Sequence, residues 1–298
     1  MLIKTYFKKT ADAFIFTHIY LAICVTGLVF ETSLILTDTI GDYKYPFFLF
    51  SSTLFLYCFH RVYNSGARSA KEIEAQRHVW LRNNKAAFYF VLIASAIAVS
   101  ICLVFFVPLS IVLYLLPIAF ISFGYTVPFI PYRGKLIRFR DIPGIKIILI
   151  SLVLGLTTVL LPVLAYSNIN ALKRSDVVFV FVRRMLFIFA ITIPFDIRDK
   201  QYDEVKGTKT LPVIYGIKTS KIMALLALSL FVVLGIVQRI FFSPINTYYT
   251  LALGLSLIPA IIGILKSNER RNDYFYSVFM EGTMLLQSLL IIAAHTFV

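Results

Sequence analysis

Ile147-Ile148-Leu149-Ile150-Ser151-Leu152-Val153-Leu154-Gly155-Leu156-Thr157-Thr158-Val159-Leu160-Leu161-Pro162-Val163-Leu164-Ala165 runs for 19 residues without a charge. A helix needs about 20 such residues to cross the hydrocarbon core of a bilayer. Lipid leaves the backbone only two solutions, helices or closed barrels. This run does not alternate with period two, so it reads as a helix. Similar runs recur along the chain and predict nine spans, over 13–36, 46–64, 86–107, 109–128, 142–166, 176–197, 219–241, 244–265 and 274–297. Only Val107-Pro108-Leu109 separates the third from the fourth, which demands a tight turn. Composition agrees. The 298 residues are 59% hydrophobic and 15% charged, with mean hydropathy +0.84. Soluble domains carry about 25% charged residues. The expected fold is all-α: one polytopic transmembrane domain over 1–298, about nine helices bundled around a central cavity.

The net charge of +14 would suggest nucleic acid in a soluble protein. Here the basic residues fall in short clusters between apolar runs, and no nucleic-acid partner is expected. Twenty-three of the 29 Lys and Arg lie at the N-terminus or in the loops after the second, fourth, sixth and eighth spans. The positive-inside rule then puts the N-terminus in the cytoplasm and the C-terminus on the opposite side. Cys24, Cys58 and Cys102 lie in or beside apolar runs and read as packing residues. The first apolar run is long enough to span, and no small-residue cleavage site follows it, so no cleaved signal is expected. Long polar loops after spans two and six give a weak echo of two four-helix units plus a ninth helix.

The chemistry gathers in Pro194-Phe195-Asp196-Ile197-Arg198-Asp199-Lys200-Gln201-Tyr202-Asp203-Glu204-Val205-Lys206-Gly207-Thr208-Lys209-Thr210-Leu211-Pro212. If the helix continues, Asp196, Asp199 and Asp203 sit at i, i+3 and i+7 on one face. Like charges there repel unless a cation neutralises them. Hard oxygen ligands at this spacing suit Mg²⁺, which bridges carboxylates and phosphate oxygens. Gly207 can end the helix, and Lys206 and Lys209 add positive charge. On residue types alone, the default reading remains a solvated, mixed-charge loop. The Gly-Thr-Lys-Thr run is not a P-loop, because the upstream glycine and strand are missing.

The pattern Asp-x-x-Asp-x-x-x-Asp-x-x-x-Gly-x-Lys-Thr-Leu-Pro resembles the second aspartate-rich motif of the UbiA superfamily of intramembrane prenyltransferases. The resemblance implies nine helices, with motifs in the cytoplasmic loops after helices two and six. It implies transfer of a prenyl group from a prenyl diphosphate to an aromatic or lipid acceptor, through an allylic carbocation. Mg²⁺ would be the cofactor and membrane lipids the surroundings. Asp196, Asp199 and Asp203 would be catalytic, with Asp199 and Asp203 holding the metal. Asp196 falls where relatives often have Asn or Asp, and Lys209 would contact the diphosphate.

The family's first motif, Asn-x-x-x-Asp-x-x-x-Asp, is altered. The matching stretch gives His60-x-x-x-Asn64-x-x-x-Arg68, which keeps the face and loses the acids. In one reading Asn64 and Arg68 hold the diphosphate directly, since Arg is a good bidentate phosphate partner. In the other, the chain is a non-catalytic isoprenoid- or lipid-binding relative. His60 is either a cavity residue or a packed interfacial histidine. The segment 125–143 resembles the family's Tyr/Pro/basic region. It offers Tyr125 or Tyr132 to the cation and Arg138 or Lys135 to phosphate, with Lys146 a further phosphate ligand. Its bland reading is an aromatic belt with positive-inside charges. Arg183 and Arg184 lie roughly 18 Å from Asp196 at helical rise and are expected to snorkel outward, or to mark a tilted helix that begins near Val182. Glu31 is expected near the outer interface, and Glu281 could pair with an inner-side Arg. A transporter is disfavoured because the acids sit at a helix end and not at the midplane.

Overall fold

A computed structural model describes residues 2–65, 76–132, 134–166, 174–242 and 245–298. The helices are α1 (Leu2–Phe16), α2 (Ile19–Thr37), α3 (Lys44–Ser65), α4 (Gln76–Asn83), α5 (Lys85–Phe105) and α6 (Leu109–Thr126). A two-stranded antiparallel hairpin follows, β1 (Ile130–Tyr132) with β2 (Lys135–Ile137). Then come α7 (Ile145–Tyr166), α8 (Ser175–Arg198), α9 (Lys200–Val205), α10 (Leu211–Phe241) and α11 (Thr247–Lys266). π-helical turns over Phe275–Met280 lead into α12 (Glu281–His295).

Among the described residues, eight helices are long and apolar enough to span a bilayer. The expected count was nine. The difference is α3, which covers the predicted 46–64 span with 22 residues but falls short in apolarity. Ser51, Ser52, His60 and Arg61 dilute it. The predicted 13–36 span also divides. His18 takes a left-handed backbone (φ 67°) and separates α1 from α2. Hydropathy runs smoothly through this point and carries no sign of the turn.

Helix α2 runs through the bundle against α3, α7 and α12, and α8 packs between α7 and α10. The α2–α12 seam is close. A Cβ on Gly282 would come within 2.5 Å of the Tyr20 hydroxyl, and one on Gly27 within 2.9 Å of Ser288 Oγ. By contrast, α5 and α6 turn large side chains such as Phe90, Ile93, Phe105 and Phe120 outward. That pattern suits lipid.

Arg183 and Arg184 do not snorkel; both are buried. Arg184 pairs with Glu31 at 2.9 Å and lies 3.2 Å from Thr32 Oγ1. Arg183 lies over the Phe231 ring, 4.3 Å from its centroid. Glu31 is therefore buried inside the bundle. Removing one member of a buried pair strands the other, at about 3–5 kcal/mol. Glu31→Gln should lower the unfolding free energy in detergent by about that much. A Glu31→Leu/Arg184→Leu double variant should recover most of the loss, and an unchanged single variant would contradict the pairing.

Candidate active site

The site is built at the end of α8. The helix ends at Arg198, and Asp199 carries a relaxed backbone (φ −90°, ψ 5°) into α9. Backbone bonds bridge the break, from Asp199 N to Phe195 O (3.0 Å) and from Asp203 N to Asp199 O (2.9 Å). Gly207 (φ +71°) ends α9, as its sequence position predicts, with Thr208 N returning to Asp203 O at 2.8 Å. The next turn is tied across the bundle, because Gly144 N donates to Lys209 O at 3.1 Å. That bond sets the start of α7, and with it Lys146, beside the aspartates.

The break divides the three carboxylates between two charge centres. In the first, Lys146 Nζ lies 2.6 Å from Asp196 Oδ1 and 3.8 Å from Asp203 Oδ2. Asp196 Oδ2 and Asp203 Oδ2 are both sealed from solvent, and among the described residues neither has a hydrogen-bond partner. In the second, Asp199 accepts from Arg198 Nε and Arg77 Nη2, each at 2.9 Å. Arg77 also reaches Asp273 at 2.8 Å, and Arg198 reaches it at 3.5 Å. Two guanidiniums thus face two carboxylates, and that box is close to neutral.

The electrostatics follow this division. Burial pushes the Asp203 carboxyl up to about 6, opposed by Lys146 and reinforced by Asp196 and Asp199. Arg140 is also near enough to favour its charged form. Burial works against Asp199 too, but Arg198 and Arg77 outweigh it and hold its carboxyl well below the usual range.

A wall of rings and bases completes the first centre. Arg140 Nη1 donates to His60 Nε2 at 2.8 Å, and His60 Nδ1 lies 3.1 Å from Thr126 Oγ1. A guanidinium only donates, so Nε2 is the acceptor and Nδ1 carries the proton. Arg140 also sits 5.6 Å from the Tyr125 ring, which packs on His60.

The structure brings Asp196, Asp203, Lys146, His60 and Tyr125 to one place. Asp199 is a near neighbour with its own partners. Lys209 is exposed beside the site and contributes its carbonyl to the backbone tie. Arg138 is engaged with Asp141 through bonds at 3.0 Å, and Tyr132 is exposed on the hairpin. Asn64 lies in the last turn of α3, its side chain outside the described set, and Arg68 lies outside the described residues. Sequence reasoning passed over Arg77, Arg140 and Asp273. Each looked like ordinary loop charge, and only the fold reveals its partner. A cavity of about 520 Å³ lies at the other end of α8, lined by residues including Asp38, Arg174, Gln238 and Tyr249, and shares no residue with this site.

Among the described residues, no three His, Cys, Asp or Glu side chains converge as a metal cage. The two orphaned oxygens of Asp196 and Asp203 still fit Mg²⁺, which commonly takes one or two carboxylates and completes its shell with phosphate and water.

The sequence profile of the UbiA prenyltransferase family matches residues 81–286, more than half of the chain. A solved structure concerned with digeranylgeranylglyceryl phosphate synthase in membranes superposes with TM-score 0.60 at 18% identity, covering 98% of this chain and 100% of that one. At that identity the likeness speaks for the fold. A search of curated proteins gave no match.

Proposed function

The chain belongs to the UbiA prenyltransferase family, and from that premise we propose that it transfers a prenyl group from a prenyl diphosphate to an aromatic or lipid acceptor at the cytoplasmic membrane face. The observation that carries this reading is the pair of buried, unpartnered oxygens on Asp196 and Asp203, set beside Lys146 and Arg140. Carboxylates alone would repel a diphosphate. With cations among them they form a place where leaving-group charge is neutralised.

Asp196 and Asp203 would hold Mg²⁺, which when bound supplies Lewis-acid neutralisation of the departing diphosphate. Lys146 lies beside both carboxylates and Arg140 is near Asp203, and Lys209 adds charge at the rim. Charge that develops on the leaving group needs donors already in place. Tyr125 packs on His60 beside Arg140, and rings so placed would stabilise an allylic cation by π-density. The apolar bundle keeps water from capturing that cation. Arg77 and Arg198 hold Asp199 and so fix the turn between α8 and α9.

The test is diphosphate release from farnesyl or geranylgeranyl diphosphate by the purified chain, with and without Mg²⁺. Release should require the metal. It should also weaken in acid. Asp203 binds a proton below about pH 6, the proton and the metal compete for the same oxygen, and the Mg²⁺ concentration for half-maximal rate should rise as pH falls through 6. A rate that ignores Mg²⁺ would remove the metal role. A chain that binds prenyl diphosphate but never releases diphosphate would instead be a non-catalytic relative.

A further inference from the structure

Arg183 is buried in the apolar bundle, about 12 Å from the start of α8 at helical rise. A charge at that depth is costly and is expected to meet a counter-charge. Glu31 does not supply one. Arg184 holds both of its oxygens, Oε1 at 2.9 Å and Oε2 at 3.2 Å. Among the described residues Arg183 has no ion pair, and its Nε is sealed without a hydrogen-bond partner. Two guanidiniums and one carboxylate leave this level of the bundle with one positive charge in excess.

Helix α10 packs against the Arg183 guanidinium. The Phe231 ring centroid is 4.3 Å away, and a Cβ on Gly235 would come within 3.0 Å of Cζ and Nη2. A void of about 10 Å³ remains, bordered by Arg183, Arg184, Glu31, Ile35 and Gln287. Gln287, on α12, is buried, and its Nε2 also lacks a partner among the described residues. The two ends of an amide exchange by a flip, so Gln287 can turn this donor to an anion in the void. A void of this size holds one water-sized particle. It excludes phosphate, sulfate and carboxylates, and it admits a monatomic ion. Water would fill the space and leave the charge unmatched.

A route leads in from the end of the bundle away from the aspartates. The cavity of about 520 Å³ there shares Ile35 with the void. Gln238 lines that cavity, is fully buried, and has no partner for either amide atom among the described residues. It lies one turn beyond Gly235, on the side of α10 that abuts Arg183. The acids of this cavity are both engaged, Asp176 with Arg174 and Asp38 with Tyr249.

We propose that Arg183, with Gln287, binds a chloride ion inside the bundle and that the wide cavity admits it. The site stands apart from the prenyl-transfer reading, since Arg183 and Asp196 are about 20 Å apart at helical rise.

Thermal unfolding of the purified chain in detergent tests this, in sodium chloride against sodium gluconate at constant ionic strength. The wild type should gain stability with chloride along a saturable curve, and bromide should substitute. Arg183→Met should lose the chloride-dependent shift. Gln287→Leu keeps the charge and removes the amide donor. It should raise the half-saturating chloride concentration about tenfold, the scale of one hydrogen bond to a charged group. A wild-type melting temperature that is equal in chloride and gluconate means that water fills the void, and overturns the proposal. A chloride shift of wild-type size in Arg183→Met places the effect elsewhere and overturns it too. Should Arg183→Met fail to fold, Gln287→Leu decides, and an unchanged chloride curve in that variant rejects the site.

Discussion

Asp203→Asn is expected to cut diphosphate release by at least about 10²–10³-fold, the scale of removing one preorganised charge-stabilising group. The substitution keeps the shape of the side chain and deletes its charge. It leaves only a neutral amide oxygen to offer Lys146, 3.8 Å away. One of the two orphaned oxygens proposed for Mg²⁺ is lost. Asp199→Asn should behave differently. Its carboxylate is matched by Arg77 and Arg198, so its loss strands two guanidiniums and should appear first in the melting temperature. Initial rates at saturating Mg²⁺, read beside thermal unfolding in detergent, separate the two. If Asp203→Asn retains rates within threefold of wild type, the metal assignment is wrong.

That contrast shows what the sequence could and could not carry. Helical spacing places Asp196, Asp199 and Asp203 on one face and makes them equals. The relaxed backbone at Asp199 divides them, and no residue in Ile197-Arg198-Asp199-Lys200 advertises it. Gly207 was legible because a left-handed helix end favours glycine on local grounds. The apolar spans were legible because length and hydropathy are local too. Arg77 and Asp273 were not. They are far apart in sequence and meet only through the packing of α4 beside the start of the last span. Arg183 and Arg184 misled for a related reason. Cost arguments send a lone Arg to the interface, but Glu31 on another helix supplies the partner that lets Arg184 stay inside. The stretch read as the counterpart of the family's first motif belongs here as well. Its His60 reaches the site, and Arg140 from the hairpin region meets it there, a pairing that spacing along α3 does not reveal.

Lys146→Met is the second large effect, and its sign depends on the metal. Lys146 neutralises Asp196 at 2.6 Å in a nearly sealed setting. Removing it leaves two buried carboxylates with no ion-pair partner among the described residues and only the weaker influence of Arg140 on Asp203. Breaking a buried pair of this kind costs about 3–5 kcal/mol, so the variant should melt well below wild type when no divalent ion is present. Mg²⁺ should then restore part of the loss, because ion binding to the folded state adds about 2.7 kcal/mol at a hundredfold excess over Kd. In the wild type, Lys146 already compensates the same carboxylates, so Mg²⁺ should raise its melting temperature less than it raises that of the variant. Activity should not follow stability. With the ammonium gone, the diphosphate loses a fixed cation, and release should stay at least about 10²-fold below wild type even at saturating Mg²⁺. Equal Mg²⁺-induced shifts in wild type and variant would mean that metal and lysine do not share the aspartates, and the two-carboxylate site would have to be abandoned.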